Sequence, residues 1–476
     1  MSYTKIEDNT KVQRKNNPME AQMSNRNPFL MSKLAAVLLI SFGLFFAGCD
    51  LGDDMEDDDT ESSEISGQAN DGDGSEERST TTQDAETESG VEGAVVTAVA
   101  VQGDGSTTEL EGEATTDSNG EFTLEVEGEG ATGNVRVHAE GDDGYESSAV
   151  VKVDGAGSVE SRPLNSESDA EAEVYLEARA EAESDTHSEG PTLADVAAYV
   201  DGEVASEISA GSQSAADIGI AIANAAKTEA EYQGEAEAGA DVEAVADAKV
   251  QAYNHLQSDL AASADADARA DAQADFEESY VNVFADAGAD LETQAKTRQA
   301  AASLLIEASG DAEGSAEFGL KRQAELVQSK ATALAIEAAL EAEGASDSAV
   351  DAVAEARAEL VAEIRAAASS DAVVEAKEEF KAEVDAATES TFDISAEVRA
   401  SAEAEAEAHM ESFLSAIAEL TIIIGNVVDA TIDAFTEFYA EAQADVATSL
   451  EAEGVGDAEA EAAAQIIVMA KLGSES

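Results

Sequence analysis

Apolar positions change their spacing several times along the chain. Residues 1–30 are polar, contain Pro18 and Pro28, and show no apolar period. Leu34 to Ala47 is a nearly unbroken apolar run, too short to cross a bilayer, which takes about 20 residues. From Cys49 to about Glu88 acidic residues, Ser, Thr and Gly dominate, and nothing there can bury much surface. Residues 49–88 are therefore expected to be an acidic, self-repelling, flexible tether. Between 89 and 164 short β-prone runs follow one another: Val91, Ala94–Val101, Leu110, Phe122–Val126, Val135–His138 and Ala149–Val153. Gly-rich turns at Gly103–Gly105, Gly128–Gly130 and Gly141–Gly144 separate them, which predicts a small β-sandwich. From 165 to 476 apolar residues recur at three and four spacing in an Ala- and Glu-rich background, and about ten helices are expected. The fold class predicted is α+β and multidomain: a small antiparallel β-sandwich, then a large all-α bundle or short helical array.

The helical part carries its own punctuation. Asn165-Ser-Glu-Ser-Asp169 supplies N-cap chemistry for a helix bearing Val174 and Tyr175, and Gly190-Pro191-Thr192 ends that helix and caps the next. The segments 235–241, 341–347 and 451–457 each read Glu-Ala-Glu, then small residues, then Asp. Each is expected to close one helix with Gly and open another with Asp as N-cap. Phe276 followed by Leu291 corresponds to Phe380 followed by Ile394. These spacings predict an internal repeat of about 106–110 residues, with two copies and the start of a third. Ala-lined contacts let helices approach but bury little area, so larger residues must anchor the core. Leu304, Leu305 and Ile306 are candidates in one copy, and Phe413, Leu414, Ile417, Leu420 and Ile422–Ile424 in the other. Phe413 to Phe438 is the most apolar stretch after Cys49. Glu419, Asn426, Asp429 and Asp433 interrupt it, so a central buried helix is expected rather than a membrane span.

Charge narrows the setting. Asp and Glu number 104 against 25 Lys and Arg, a formal net charge of −79. Six of those basic residues fall in the first 33, so the rest is more acidic still. With 43% hydrophobic residues and long periodic segments, the chain does not read as disordered. The acid runs throughout rather than forming a tail. Adaptation to molar salt fits, since at 1 M the Debye length falls to about 3 Å and self-repulsion is screened. Low salt should then loosen the fold, and binding of nucleic acid is not expected, because its phosphates would be repelled.

The sole cysteine, Cys49, rules out an intrachain disulfide and a cysteine zinc cluster. Lys33 precedes the apolar run, which ends in Phe46-Ala47-Gly48-Cys49. This stretch resembles a bacterial lipoprotein signal, with Phe46, Ala47 and Gly48 as the lipobox before Cys49. The resemblance implies a signal peptide over 31–48, removed in processing, and a lipid-bearing Cys49 at the mature N-terminus. It implies a membrane-anchored protein, periplasmic or on the outer surface. Residues 1–30 are then expected to be disordered or a mis-called start, lost with the signal.

A second motif sits in the predicted sandwich. Gly90-Val-Glu-Gly-Ala-Val-Val opens it, Thr116-Asp117-Ser-Asn119-Gly120-Glu-Phe122 lies in its middle, and Gly144-Tyr145 follows. Asp117, Asn119 and Gly120 should make a tight turn, with Phe122 entering the core on the next strand. Residues 89–164 resemble the carboxypeptidase regulatory-like domain, a transthyretin-like sandwich of about seven strands. That family's modules are usually spacers or accessory domains, so the resemblance implies no activity.

Chemistry is otherwise thin. His138, His187, His255 and His409 are scattered, and none forms a His-x3-His or HExxH pair. Asn70–Gly74, NDGDG, lacks the later Glu of a calcium loop and reads as linker. Carboxylate pairs are too abundant to single one out. No catalytic, cofactor-binding or metal site is expected. The reading is a non-enzymatic, lipid-anchored envelope scaffold of an extreme halophile, with the helical part facing a protein partner or a second copy. The alternative is a transport-associated module binding a ligand or polymer, with Tyr253, Tyr280, Phe284 and Phe318 lining a cleft. A hydrolase using two carboxylates comes third.

Overall fold

Each β-run that alternates in the sequence buries one face, and two such faces make the first layer pair. A computed structural model describes residues 62–71, 89–128, 130–142, 144–155, 157–183, 190–235, 242–263, 266–308, 318–420 and 427–475. Among them are ten strands: β1 (Ser62–Gln68), β2 (Asn70–Asp71), β3 (Ser89–Gly90), β4 (Val95–Val101), β5 (Thr107–Glu109), β6 (Ala114–Thr115), β7 (Glu121–Glu127), β8 (Gly133–Glu140), β9 (Glu146–Val153) and β10 (Ser158–Glu160). One sheet has the order β10-β1-β7, and the other β5-β4-β8-β9 with β6 also paired to β4. Pairings are antiparallel except β1 with β10. Ile65, Phe122, Leu124 and Val126 of the first sheet share a core with Val96, Ala98, Val135, Val137, Ala149 and Val151 of the second. The small antiparallel sandwich is therefore present.

It begins earlier than expected. Residues 62–71 fall within the stretch read as tether, yet β1 is the middle strand of its sheet, paired to β7 across its whole length. Its only large apolar residue is Ile65, fully buried, so its period-two pattern is carried by Ser63 and Ile65 alone. Strand identity here comes from backbone pairing on both edges, which side-chain patterning does not report.

Thirteen helices follow among the described residues, where about ten were expected: α1 (Ser166–Glu183), α2 (Leu193–Tyr199), α3 (Gly202–Ser209), α4 (Ala215–Glu235), α5 (Val242–Ala262), α6 (Ala266–Asp286), α7 (Leu291–Ala308), α8 (Phe318–Ala342), α9 (Asp347–Ala366), α10 (Ser370–Phe392), α11 (Ala396–Leu420), α12 (Val427–Ala452) and α13 (Asp457–Glu475). Asn165 caps α1 reciprocally with Ser168: Asn165 Oδ1 accepts the Ser168 N–H at 3.0 Å and Ser168 Oγ the Asn165 N–H at 2.9 Å. Thr192 and Asp195 form a capping box at α2. No helix of the described residues is long and apolar enough to cross a membrane.

Two helix ends carry the repeated segment. At Gly344 and at Gly454 the backbone turns left-handed, with φ of 78° and 98°. Ala345 N–H bonds Leu340 O at 3.0 Å, and Val455 N–H bonds Leu450 O at 3.1 Å, the same Schellman closure. The Asp that follows is not the N-cap. Ser346 caps α9, and Asp347 and Asp457 are the first helical residues, where their charge meets the helix dipole. Of the first copy of the segment, 235–241, residues 236–241 lie outside the described residues. A second pair of ends also corresponds: Gly288 and Asp393 are both left-handed, followed by Asp290 and Ser395, which cap α7 and α11.

The stretch 413–438 is not one helix. Phe413 on α11 meets Phe435 and Phe438 on α12, with ring centroids 5.1 and 5.0 Å apart. One straight helix would hold Phe413 and Phe435 about 33 Å apart. The chain therefore turns back between them, and Leu304, Leu305 and Phe413 are among the buried anchors. Leu414, Ile417, Leu420 and Ile422–Ile424 have side chains outside the described residues.

The sandwich is packed on the helices. Strand β9 has lost its alternation because both its faces are covered, Val151 by the sandwich core and Val150 by the helical core. Val150 O accepts from Tyr253 and Gln257 of α5, and Ser148 bonds Asp169 of α1. Arg162 sits between the two parts, buried, paired to Glu167 at 2.9 Å and to Glu171.

Candidate functional site

The lipobox residues Phe46, Ala47 and Gly48, and Cys49 itself, lie outside the described residues. The sandwich motif lies within them. Asp117 Oδ1 accepts the N–H groups of Asn119 at 2.8 Å and Glu121 at 3.0 Å. Gly120 N–H bonds Asp117 O, and Gly120 has a φ of 79°. The carboxylate is thus engaged in closing a tight turn between β6 and β7, and Phe122 enters the core directly after it. The turn also lies against Gly90. A Cβ on Gly90 would stand 1.9 Å from Asn119 O, so only glycine lets these two backbones touch. The two halves of the motif meet in space.

The helical part holds a buried group of four charges. Lys249 Nζ lies 2.6 Å from Asp195 Oδ1 and 2.8 Å from Glu229 Oε2. Glu229 also binds Arg298, whose side chain is fully buried. Tyr280 donates its hydroxyl to Asp195 at 2.9 Å, and Arg298 lies 4.0 Å from the Tyr280 ring centroid and 4.5 Å from that of Phe284. Two cations face two anions, so the group is neutral overall. Burial alone would push the Asp195 carboxyl up, but Lys249 and the Thr192 bonds hold it below the ordinary value. Every charge has a partner, the condition under which burial is tolerable.

Beside this group, where β8 and β9 face α1, α2 and α5, a half-open cleft of about 150 Å³ is lined by Asn134, Lys152, Tyr175, Arg179, Tyr253 and Asn254, among others. Its rim carries Lys152, 3.8 Å from Asp154, and Arg179, which donates to Gly103 O at 3.1 Å. Asn134 Nδ2 donates to the Tyr175 hydroxyl at 2.6 Å. Two cations in one cleft stand out in so acidic a chain. Of the four aromatic residues proposed for a cleft, Tyr253 lines it. Tyr280 and Phe284 stack on Arg298, and Phe318 belongs to the largest helical core.

Several carboxyls are held above their usual range, Glu171 and Glu207 among them. Burial pushes Glu171 up to about 7 against the pull of Arg162. Burial likewise pushes Glu207 to about 7, although the Gly319 N–H bonds it. Neither is among the residues lining the cleft.

The histidines are dispersed as their spacing indicates. His138 on β8 lies 3.8 Å from Glu146, and His255 is exposed on α5. His187 lies outside the described residues. His409 differs: Glu405, one turn before it on α11, and Asp445 on α12 bring donor atoms within 4.8 Å of one another. The Glu-x3-His spacing was available in the sequence, but Asp445, 36 residues on, was not.

No family model matches the chain, nor does any characterised protein or solved structure. What is established is its class: an α+β protein in which a small β-sandwich is joined to a large helical region.

Proposed function

We propose that the protein is a lipid-anchored, non-enzymatic scaffold of the cell envelope, adapted to molar salt. The observation that carries this is Cys49, the only cysteine of the chain, standing directly after an apolar run and Phe46-Ala47-Gly48. The anchor would be the lipid on Cys49, since stable attachment takes more than one acyl chain and a processed lipoprotein cysteine supplies them. The carboxypeptidase regulatory-like resemblance of the sandwich supports an accessory role. The helices would then present a surface to a protein partner or a second copy. Intact-mass spectrometry of the membrane fraction tests the anchor. The expected species begins at acylated Cys49, and Cys49→Ser moves the protein to the soluble fraction or stalls processing. An unlipidated parent chain beginning at Met1 or Met31 refutes the proposal.

Exposed carboxylates crowded on neighbouring helices support the salt-adaptation reading. Glu359, Glu363, Glu375 and Glu379 are all exposed on the paired helices α9 and α10. The Glu363 carboxyl is held above its usual value, by local burial first and then by Glu379, Glu359 and Glu375. Meanwhile Arg162, Lys249, Arg298 and Lys377 are spent on interior pairs. Between 0.1 M and 2 M KCl the thermal midpoint should rise by more than about 10 °C as the Debye length contracts below about 3 Å. A midpoint independent of KCl would contradict the adaptation.

A second reading, favoured by the cations of the cleft, is an envelope module that binds a small anionic ligand there. Lys152→Ala and Arg179→Ala would then abolish binding in a screen of organic acids by calorimetry, without changing the thermal midpoint.

A further inference from the structure

We propose that Glu405, His409 and Asp445 form a binding site for a divalent transition-metal ion of the zinc type, which clamps α11 to α12. His409 Nε2 lies 3.0 Å from Asp445 Oδ2, and all three donor atoms lie within 4.8 Å of one another. Ligand atoms around one zinc ion, each about 2.0–2.2 Å from it, stand roughly 3–3.5 Å apart. His409 and Asp445 already hold that spacing. Glu405, whose donor oxygen lies within 4.8 Å of both, can close to it by rotation of its side chain.

Three observations separate this group from the carboxylates around it. The first is its imidazole. An acidic surface attracts hard cations everywhere, but a nitrogen donor between two carboxylates favours zinc, nickel or cobalt over magnesium and calcium. The second is pairing. Among the described residues no Lys or Arg stands within ion-pair distance of Glu405 or Asp445. Several carboxylates inside the fold, by contrast, are tied to cations, as Glu229 is to Lys249 and Arg298. The third comes from the corresponding helices. Ser395 caps α11 as Asp290 caps α7, 105 residues earlier, and α12 ends 110 residues after α8. At those offsets Glu405, His409 and Asp445 correspond to Ala300, Leu304 and Ala335. All three of these are buried. An apolar position in the earlier helix pair is replaced, in the later pair, by three metal-type ligands open to solvent. A bound ion would tie α11 to α12 at this position.

The test uses the full chain in molar KCl, stripped with a chelator and titrated with Zn²⁺ by calorimetry. Co²⁺ serves as the spectroscopic substitute. One saturable site is expected in the parent. His409→Ala and Asp445→Asn should each weaken it at least about tenfold, and His255→Ala should leave it unchanged. Co²⁺ should give a d–d absorption band in the parent that His409→Ala removes. Because these side chains are not in the core, the variants keep the parent thermal midpoint in metal-free buffer. Parent-like Zn²⁺ affinity in both ligand variants would mean carboxylate attraction alone and overturn the site. So would competition by Mg²⁺ at concentrations comparable to Zn²⁺, or no saturable binding at all.

Discussion

Glu229→Gln should cost about 3–5 kcal/mol of stability, the range for breaking a buried ion pair by removing one partner. Glu229 is the carboxylate that pairs with both cations of this group, Lys249 at 2.8 Å and Arg298. Neutralising it leaves two positive charges facing one carboxylate, Asp195, in a site closed to water. Molar salt does little to relieve this, since ions do not screen what they cannot approach. The matched variant is Glu229→Met with Arg298→Met. It removes one anion and one cation and also the Arg298 Nε, which has no hydrogen-bond partner. Lys249 keeps Asp195 at 2.6 Å, so the remainder is neutral. Replacing a buried pair by apolar side chains of similar volume is often neutral or stabilising. The double variant should therefore be at least about 2 kcal/mol more stable than Glu229→Gln. Denaturant unfolding at fixed KCl measures both. A Glu229→Gln loss below about 1 kcal/mol would show that the group is hydrated and the pairing contributes little.

This group also shows where sequence reading stops. Tyr280 and Phe284 are legible as large aromatics on one helix, for which core packing is the simpler expectation and a cleft the alternative. Their partner, Arg298, stands on the next helix in a polar-looking run, Glu292-Thr-Gln-Ala-Lys-Thr-Arg298-Gln. Nothing in that run distinguishes a buried arginine from a solvated one. Its burial is decided by Glu229, 69 residues away. The same limit hid β1, whose place depends on β7 and β10, and Asp445, whose place depends on a helix turn-back. Local chemistry was legible: the Thr192 cap, the Asn165 cap and the turn at Asp117 are fixed by neighbours within four residues. The Asp347 and Asp457 misassignment is the local exception. Ser and Asp both favour helix starts, and only the backbone shows that the helix begins one residue after Ser346. The fold class was legible because it needs only the change of period near residue 165, from two to three and four.

Gly90→Ala should destabilise the sandwich by about 3 kcal/mol or more, beyond the usual 1–3 for overpacking. The added Cβ would lie 1.9 Å from Asn119 O and 2.1 Å from Asn119 C, and both are backbone atoms that cannot rotate away. The turn cannot retreat cheaply either. Asp117 holds it by two N–H groups, Gln68 Nε2 donates to Asn119 O at 2.8 Å, and Ala69 N–H bonds Gly120 O. Gly93→Ala is the control. It has a φ of 82° but open space around the Cβ, so it should cost only the left-handed strain of about 1–2 kcal/mol. Equal effects of the two substitutions would mean that the turn yields. The unfolding profile of Gly90→Ala carries further information. Val150 is shared between the sandwich strand β9 and the helical core, and Arg162 is paired to α1. If these contacts couple the two parts, the whole unfolding transition moves to lower temperature as one step. A separate early transition would mean that the sandwich melts alone. The sandwich would then behave as a module independent of the helices, not as part of one rigid body.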